Sequence, residues 1–246
     1  MTTSMLRDIR FAIRLLLKNP GFTAVAIVTL GLAVAANTVV FSIVHAILLR
    51  PLPFAEPGRL VQVASQYPGQ FPGYWGFSWH EYIDIAKDAH ALESAGAWFT
   101  EDANLTGGDK PVAVRTTFAT ASLLPTVGVA PMLGRFFDAS EDVPGDPSAA
   151  MYGYGGTRVV VLGYDVFKTV FGGDPNIVGR TVKVNAMPAT VVGVMPRDFD
   201  FPERAQIWVP AGIDSSKMGR GNHWFRAIGR LREGWGSRLR RQRWRH

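Results

Sequence analysis

DPNIVGRT, residues 174–181, is the stretch nearest to a phosphate-binding signature, and it departs from one at each decisive position. A loop that cradles phosphate opens on glycine, places lysine before Ser or Thr, and leads into a helix whose N-terminal amides hold the anion. Here Asp174 stands first, Arg180 replaces the lysine, and the residues after Thr181 alternate like a strand. A turn running into a strand is the better reading. The histidines, 45, 80, 90, 223 and 246, show no HExxH and no paired spacing. His80-Glu81 with Asp84 and Asp88 would form an acidic ligand face on one helix. Glu81, however, follows Ser78 by three residues and closes a capping box, and acids suit the N-terminal half of a helix, so a solvated face is expected. No GxSxG occurs, and the scattered Ser and Asp residues suggest no triad. Asn104-Leu105-Thr106 fits a glycosylation sequon at chance level only. With no cysteine in the chain, thiolate nucleophiles, disulfides and Cys-ligated metals are excluded. No catalytic, cofactor-binding or metal-binding residue is assigned, and no cofactor is expected.

The net charge of +6 resembles a nucleic-acid signal until it is located. Residues 229–246 carry seven Arg against Glu233, which accounts for the whole excess. The first 20 residues hold Arg7, Arg10, Arg14 and Lys18 against Asp8, and the stretch from Pro51 to Gly229 is net acidic. A basic arm, an apolar run and a mildly acidic body is the charge order of a membrane-anchored protein, and no nucleic-acid partner is expected.

From Asn19 to Leu49 there is no Asp, Glu, Lys or Arg. As a helix, Phe22 to Leu49 would reach roughly 42 Å at about 1.5 Å per residue, more than the ~30 Å of a hydrocarbon core. Before it, the four basic residues recur at intervals of three and four opposite Leu6, Ile9, Ile13, Leu16 and Leu17, the pattern of an interfacial amphipathic helix, with Pro20-Gly21 as the bend into the span. Four basic residues before the span and two after it (Arg50, Arg59) put the N-terminus in the cytoplasm. A cleaved signal peptide is the rival, with a small-residue site at Ala33-Val34-Ala35, but the apolar run continues well past it. Asn37 and His45 cost free energy against lipid and are expected to face neighbouring helices, while Arg50-Pro51-Leu52-Pro53 ends the helix at the headgroups.

Beyond the span, LVQVAS (60–65) alternates as a first strand, and Ser78 opens a helix running to about His90 with Tyr82, Ile83, Ile85 and Ala86 inward. AGAWF and DANLTG predict a strand pair with a polar turn, VAVRTTF a strand, and Ser122 to Val127 a short helix ended by Gly128. Asp138 to Gly156 is expected to be a mobile loop or an insertion. RVVVLG then predicts a strand, DVFKTVF a helix closed by Gly172-Gly173, and TVKVN with ATVVGVMP a hairpin around Asn185. Tyr67, Phe71, Tyr74, Trp75, Phe77 and Trp79 form the densest aromatic cluster, for which core packing under a loop is favoured over ligand stacking or an interfacial belt.

Several strings in order resemble the MacB-like and FtsX-like ABC-transporter permeases: MLRDIRFAIRLLLKNPGF through LLRPLPF, then PGRLV, SWHEYIDI, SLLPTVGVAPMLGRFFDASED, FGGDPNIVGRT, VVGVMPRDFDFP, IWVP and HWFRAIGRL. They run from residue 5 to about 234. Helices and strands alternate irregularly, with hairpins, which gives an α+β fold class with a largely antiparallel or mixed sheet; the resemblance implies that this is a periplasmic core domain following a single transmembrane helix. It divides the chain into a cytoplasmic amphipathic arm (1–20), a transmembrane helix (21–50), an incomplete MacB-like periplasmic core domain (51–234) and an Arg-rich tail outside the family pattern (235–246). It also implies a bacterial inner-membrane permease subunit whose ATP hydrolysis resides on a separate cytoplasmic ABC ATPase subunit. The other implied partners are a second permease half or protomer, the lipid bilayer and a periplasmic adaptor protein. Two departures stand out. Ala186 occupies the place of the usual Gly after Asn185, which implies a different turn geometry. WGSRLRRQRWRH replaces the expected continuation, as a frameshifted or truncated gene would. The alternative reading is a membrane-anchored extracytoplasmic binding or adaptor domain acting without transport; a secreted enzyme ranks below both.

Overall fold

Helix α1, Pro20–Val44, begins where the sequence places a proline that has no amide to lose from a first turn. The computed structural model describes residues 11, 14, 16–44, 54–65, 76–108, 110–144 and 158–235, so His45, Arg50, Tyr67 to Trp75 and residues 236–246 of the tail lie outside it. The interruption ahead of α1 falls at Asn19, one residue before the expected bend. Within α1 the hydroxyls of Thr23, Thr29 and Thr38 donate to the carbonyls four residues back, at 3.0, 2.8 and 2.8 Å. Each of these hydroxyls is thereby satisfied locally, as a medium without water requires. The chain divides into two units, Met1–Leu52 and Pro53–His246.

The second unit is a nine-stranded mixed sheet carrying three helices. Its strands are β1 (Leu60–Val63), β2 (Leu92–Thr106), β3 (Val112–Ala119), β4 (Leu133–Gly134), β5 (Val159–Leu162), β6 (Thr181–Val184), β7 (Met187–Val194), β8 (Ile207–Pro210) and β9 (Arg226–Leu231). The helices are α2 (Trp79–Asp88), α3 (Leu123–Val127) and α4 (Tyr164–Phe171). Pairing runs β2 to β3, β8, β5, β7 and β6, and β6 returns to β2 through Leu105↔Val184. Six strands therefore close a hydrogen-bonded ring, parallel at β3–β8 and β5–β7 and antiparallel elsewhere. On the N-terminal half of β2 the sheet continues through β9 to β1.

The long β2 corrects the expected strand pair at AGAWF and DANLTG. Thr100, Glu101 and Asp102 continue in register against Thr117, Thr116 and Arg115, so the polar run is part of one strand and no turn forms. One end of β2 belongs to the extension and the other to the ring, which is why a single strand of 15 residues is needed.

Each ring strand contributes to one core: Leu105, Val114, Val160, Val182, Val191 and Ile207, closed by Phe167 and Phe171 of α4. The residues next in line, Val161, Val192 and Trp208, point the other way, into a second core with α3, as period-two alternation demands. A third core forms between α2 and the β2–β9 extension around Phe77, Tyr82, Phe99 and Phe225. Gly96 lets β2 approach α3, for a Cβ there would meet the Leu123 Cα at 2.3 Å.

The β6–β7 hairpin corrects a second expectation. Asn185 and Ala186 both adopt positive φ, 48° and 67°, the combination of the two-residue primed turn that Asn-Gly takes. Asn185 also accepts the Asn104 amide through Oδ1 and donates its own amide to the Asn104 carbonyl, at 2.8 and 2.9 Å. Those contacts hold Ala186 where alanine would not go unaided.

Candidate functional site

The stretches considered for chemistry are occupied by structure. Arg180 lies over the Phe171 ring and donates to the Gly107 carbonyl at 3.1 Å, so DPNIVGRT ties the end of α4 to the β2–β3 turn and leads into β6. Glu81 completes the capping box, accepting the Ser78 amide at 2.8 Å while Ser78 Oγ accepts the Glu81 amide at 3.3 Å. The same carboxylate lies 3.2 Å from His223 Nδ1, a pairing that linear spacing could not reveal because the two residues meet across the α2–β9 packing. No cluster of three metal-ligating side chains occurs among the described residues. Asn104 of the sequon lies within β2, where its backbone holds the Asn185 turn. Of the aromatic cluster, Phe77 is buried and pairs with Phe225, and Trp79 packs against Tyr82 and Phe225; the rest lies outside the described residues.

A cleft of about 190 Å³ beside β2 is lined by Phe99, Thr100, Glu101, Glu203, Trp224 and Arg226. Its charges are engaged, Glu203 lying 2.6 Å from Arg226 and 3.8 Å from Arg115. Nothing there gathers an acid, a base and a nucleophile.

The expected mobile loop is anchored over its first part. Asp142 accepts the amides of Ala121 and Gly212, both at 2.9 Å, and so joins the ends of β3 and β8. Burial pushes its carboxyl above the ordinary aspartate range, against the amides of Gly212, Ala121 and Ala211, which pull it down. Next to it Glu141 is held below its ordinary value by Arg135, which grips both its oxygens at 2.7 and 2.8 Å. Residues 145–157 lie outside the description.

Phe54–Arg59, a segment that follows α1 in sequence, is held to the sheet domain at several points. Phe54 sets its ring edge-on to Phe201 and Phe199, with centroids 5.1 and 6.5 Å away. The Ala55 amide donates to the Val127 carbonyl at 3.2 Å, and the Ala55 carbonyl accepts from Arg230 Nη2 at 2.8 Å. Arg230, only 7% exposed, also donates through Nε to the Thr126 carbonyl at 3.0 Å. Arg59 donates to the Leu231 carbonyl at 2.8 Å and pairs with Glu56 and Glu93. Phe54–Arg59 is thus tied to α3, to β9 and to the aromatic loop before β8. A Cβ on Gly128, where φ is +72°, would meet the Ala55 Cβ at 2.5 Å.

Helix α1 has the opposite character. From Pro20 to Ser42 it is apolar and long enough to cross a bilayer, and none of that span is buried. Asn37 is exposed on its surface.

Solved structures with this architecture are at the level of fold. The periplasmic region of MacB from Actinobacillus actinomycetemcomitans superposes with a TM-score of 0.53 at 15% identity, covering 75% of this chain and 79% of that one. A domain of a putative permease protein from Porphyromonas gingivalis gives 0.54 at 18% identity, covering 74% and 78%. In sequence, the macrolide export ATP-binding/permease protein MacB of Chromobacterium violaceum is 34% identical over 84 residues, which is 33% of this chain. The match spans only 13% of that relative's length. The sequence profile described as the MacB-like periplasmic core domain matches residues 23–236, α1 and the sheet domain together, and the chain belongs to that family of ABC-transporter permease domains.

Proposed function

We propose that the chain is part of a permease subunit of an ABC-type efflux or mechanotransmission system in the bacterial inner membrane. The observation that carries this reading is the family match across both α1 and the sheet domain, joined to an unburied apolar helix of spanning length. In this reading residues 1–20 form a cytoplasmic arm, 21–50 the membrane helix and 51–234 the periplasmic core domain, with an Arg-rich tail after it. ATP hydrolysis belongs to a separate cytoplasmic ABC ATPase subunit. The side of α1 that carries Asn37 packs against helices of the permease and its second half or protomer, and a periplasmic adaptor protein is a further partner. The chain's own residues supply an anchor and a rigid body, which is the mechanical share of such a cycle.

Orientation is the part most directly tested. The native chain has no cysteine, so single Ser4→Cys and Lys110→Cys variants can be treated in intact spheroplasts with a membrane-impermeant maleimide. Labelling at 110 and protection at 4 are expected; the reverse pattern overturns the topology. Coupling is tested by co-expression with the ATPase subunit, where co-purification and stimulated ATP hydrolysis are expected. A second reading, an anchored binding or adaptor domain acting alone, is favoured by the ring filling its core with side chains of its own strands and of α4. An inert ATPase together with a protease-resistant, monodisperse sheet domain would favour it.

A further inference from the structure

Arg230 is the most conspicuous charge that no step above uses. Its side chain is almost wholly buried in β9, it forms no ion pair among the described residues, and its bonds go to two backbone carbonyls, Ala55 and Thr126. Glu56 feels the charge of Arg230, but a guanidinium buried with no carboxylate in direct contact is costly, and a packed apolar side chain of similar volume would serve a core better. What arginine offers instead is a planar fork with donors at fixed spacing, able to hold two chain segments in one register. The segments it joins are the C-terminal turn of α3 and the residues that follow α1. The Ala55 amide returns the contact to Val127, and Gly128 leaves the space in which Ala55 sits.

We propose that Arg230 is a positioning residue that makes Phe54–Arg59 one mechanical piece with α3 and β9, so that displacement of the chain end following α1 is delivered into the sheet. The point of entry is β9, which lies between β1 and β2 and adjoins the strand that continues into the ring. Phe54 and Arg59 hold the two ends of the segment, and Arg230 fixes its middle. The proposal rests on the mechanical reading above and assigns the joint through which the core domain would feel the membrane helix.

Hydrogen exchange on the full chain in lipid nanodiscs tests it. In Arg230→Met the amides of Ala55 and Arg59 are expected to lose protection by about tenfold or more, while amides of β2 and β3 keep theirs. Arg230→Lys, with the charge but not the fork, is expected to fall between. Gly128→Ala keeps the arginine but sets a Cβ against both Ala55 and Arg230 Nη2, so it is expected to expose the same amides and serves if the first variant folds poorly. Spin labels at Glu56→Cys and Pro125→Cys are expected to give a narrow distance distribution that broadens in Arg230→Met. Unchanged protection in Arg230→Met and Gly128→Ala, or a uniform loss across β2, β3 and β9, overturns the proposal. These readouts do not involve ATP, so a missing ATPase partner would sink the permease reading and leave this result standing.

Discussion

Phe22, Leu30 and Leu32 of α1 are 72%, 68% and 72% exposed, whereas Leu105, Leu162 and Ile207 in the ring are wholly buried. Both sets are large apolar side chains, and only their surroundings differ. In the ring, six strands supply one another's apolar neighbours, so each methyl group leaves water through contacts within the chain. Helix α1 satisfies its backbone and threonine hydroxyls internally and leaves its apolar surface to something outside the described chain. A polar group must find its partner locally; an apolar surface needs only a medium without water. The two regions therefore call for different experiments, one reading unfolding of the sheet domain and the other reading insertion.

The largest expected effect belongs to the ring side. Trp208 is wholly buried and donates from Nε1 to the Phe201 carbonyl at 2.9 Å. Trp208→Ala is expected to cost about 3–5 kcal/mol in denaturant unfolding of the detergent-solubilised chain. Leu30→Ala in α1 is expected to change the same transition by less than ~0.5 kcal/mol. An equal cost at both positions would erase the contrast and mean that α1 is integral to the domain core. The converse experiment is Leu32→Arg, expected to weaken insertion by roughly 2.5–3.5 kcal/mol for a charge near a helix centre. Carbonate extraction of membranes would show the protein released, with the unfolding transition of the sheet domain unmoved.

The local devices of the fold were legible because their causes are local. The capping box at Ser78–Glu81, the glycine at positive φ that ends α3, and the glycine that ends α4 each depend on neighbours within a turn. What could not be read was pairing between distant segments. Thr100, Glu101 and Asp102 resemble a turn until β3 is laid beside them, and Ala186 resembles a break in the hairpin pattern until Asn104 is seen holding Asn185. Ring closure rests on two residue pairs between β2 and β6, a contact with no linear signature. The membrane segment was legible as composition alone, as a long apolar run without Asp, Glu, Lys or Arg. At the candidate joint, Phe54 and Arg59 were visible only as turn-region residues, and Arg230 looked like one more member of the basic C-terminal run. Its burial is a property of the assembled β9.

Smaller substitutions separate close packing from capping within the sheet domain. Gly96→Ala forces a Cβ against the Leu123 backbone and is expected to cost about 1–3 kcal/mol, the range for overpacking where a main chain must shift. Ser78→Ala removes one arm of the capping box and is expected to cost about 1 kcal/mol. Both are measured by thermal unfolding. If the cap proves the costlier of the two, the β2–α3 approach is softer than its geometry implies.

The smallest effects come from two adjacent carboxylates with opposite signs. Glu141, lowered by Arg135, binds protons less readily in the folded chain than in the unfolded one. Its stabilising contribution is present above the unfolded value near 4.5 and is lost as pH falls through the lower folded value. Asp142, raised by burial, does the reverse: from its unfolded value near 3.8 upward, its ionisation is penalised in the fold, and stability declines as pH rises through the folded value. Glu141→Gln is therefore expected to flatten the acid-side loss of stability, and Asp142→Asn to remove a slope of the other sign while weakening one of two backbone contacts. Unfolding midpoints collected from pH 3 to 7 would separate the two. Parallel slopes in both variants would mean that Asp142 is hydrated in the folded protein, and the loop before residue 145 would then be less firmly seated than Ala121 and Gly212 make it.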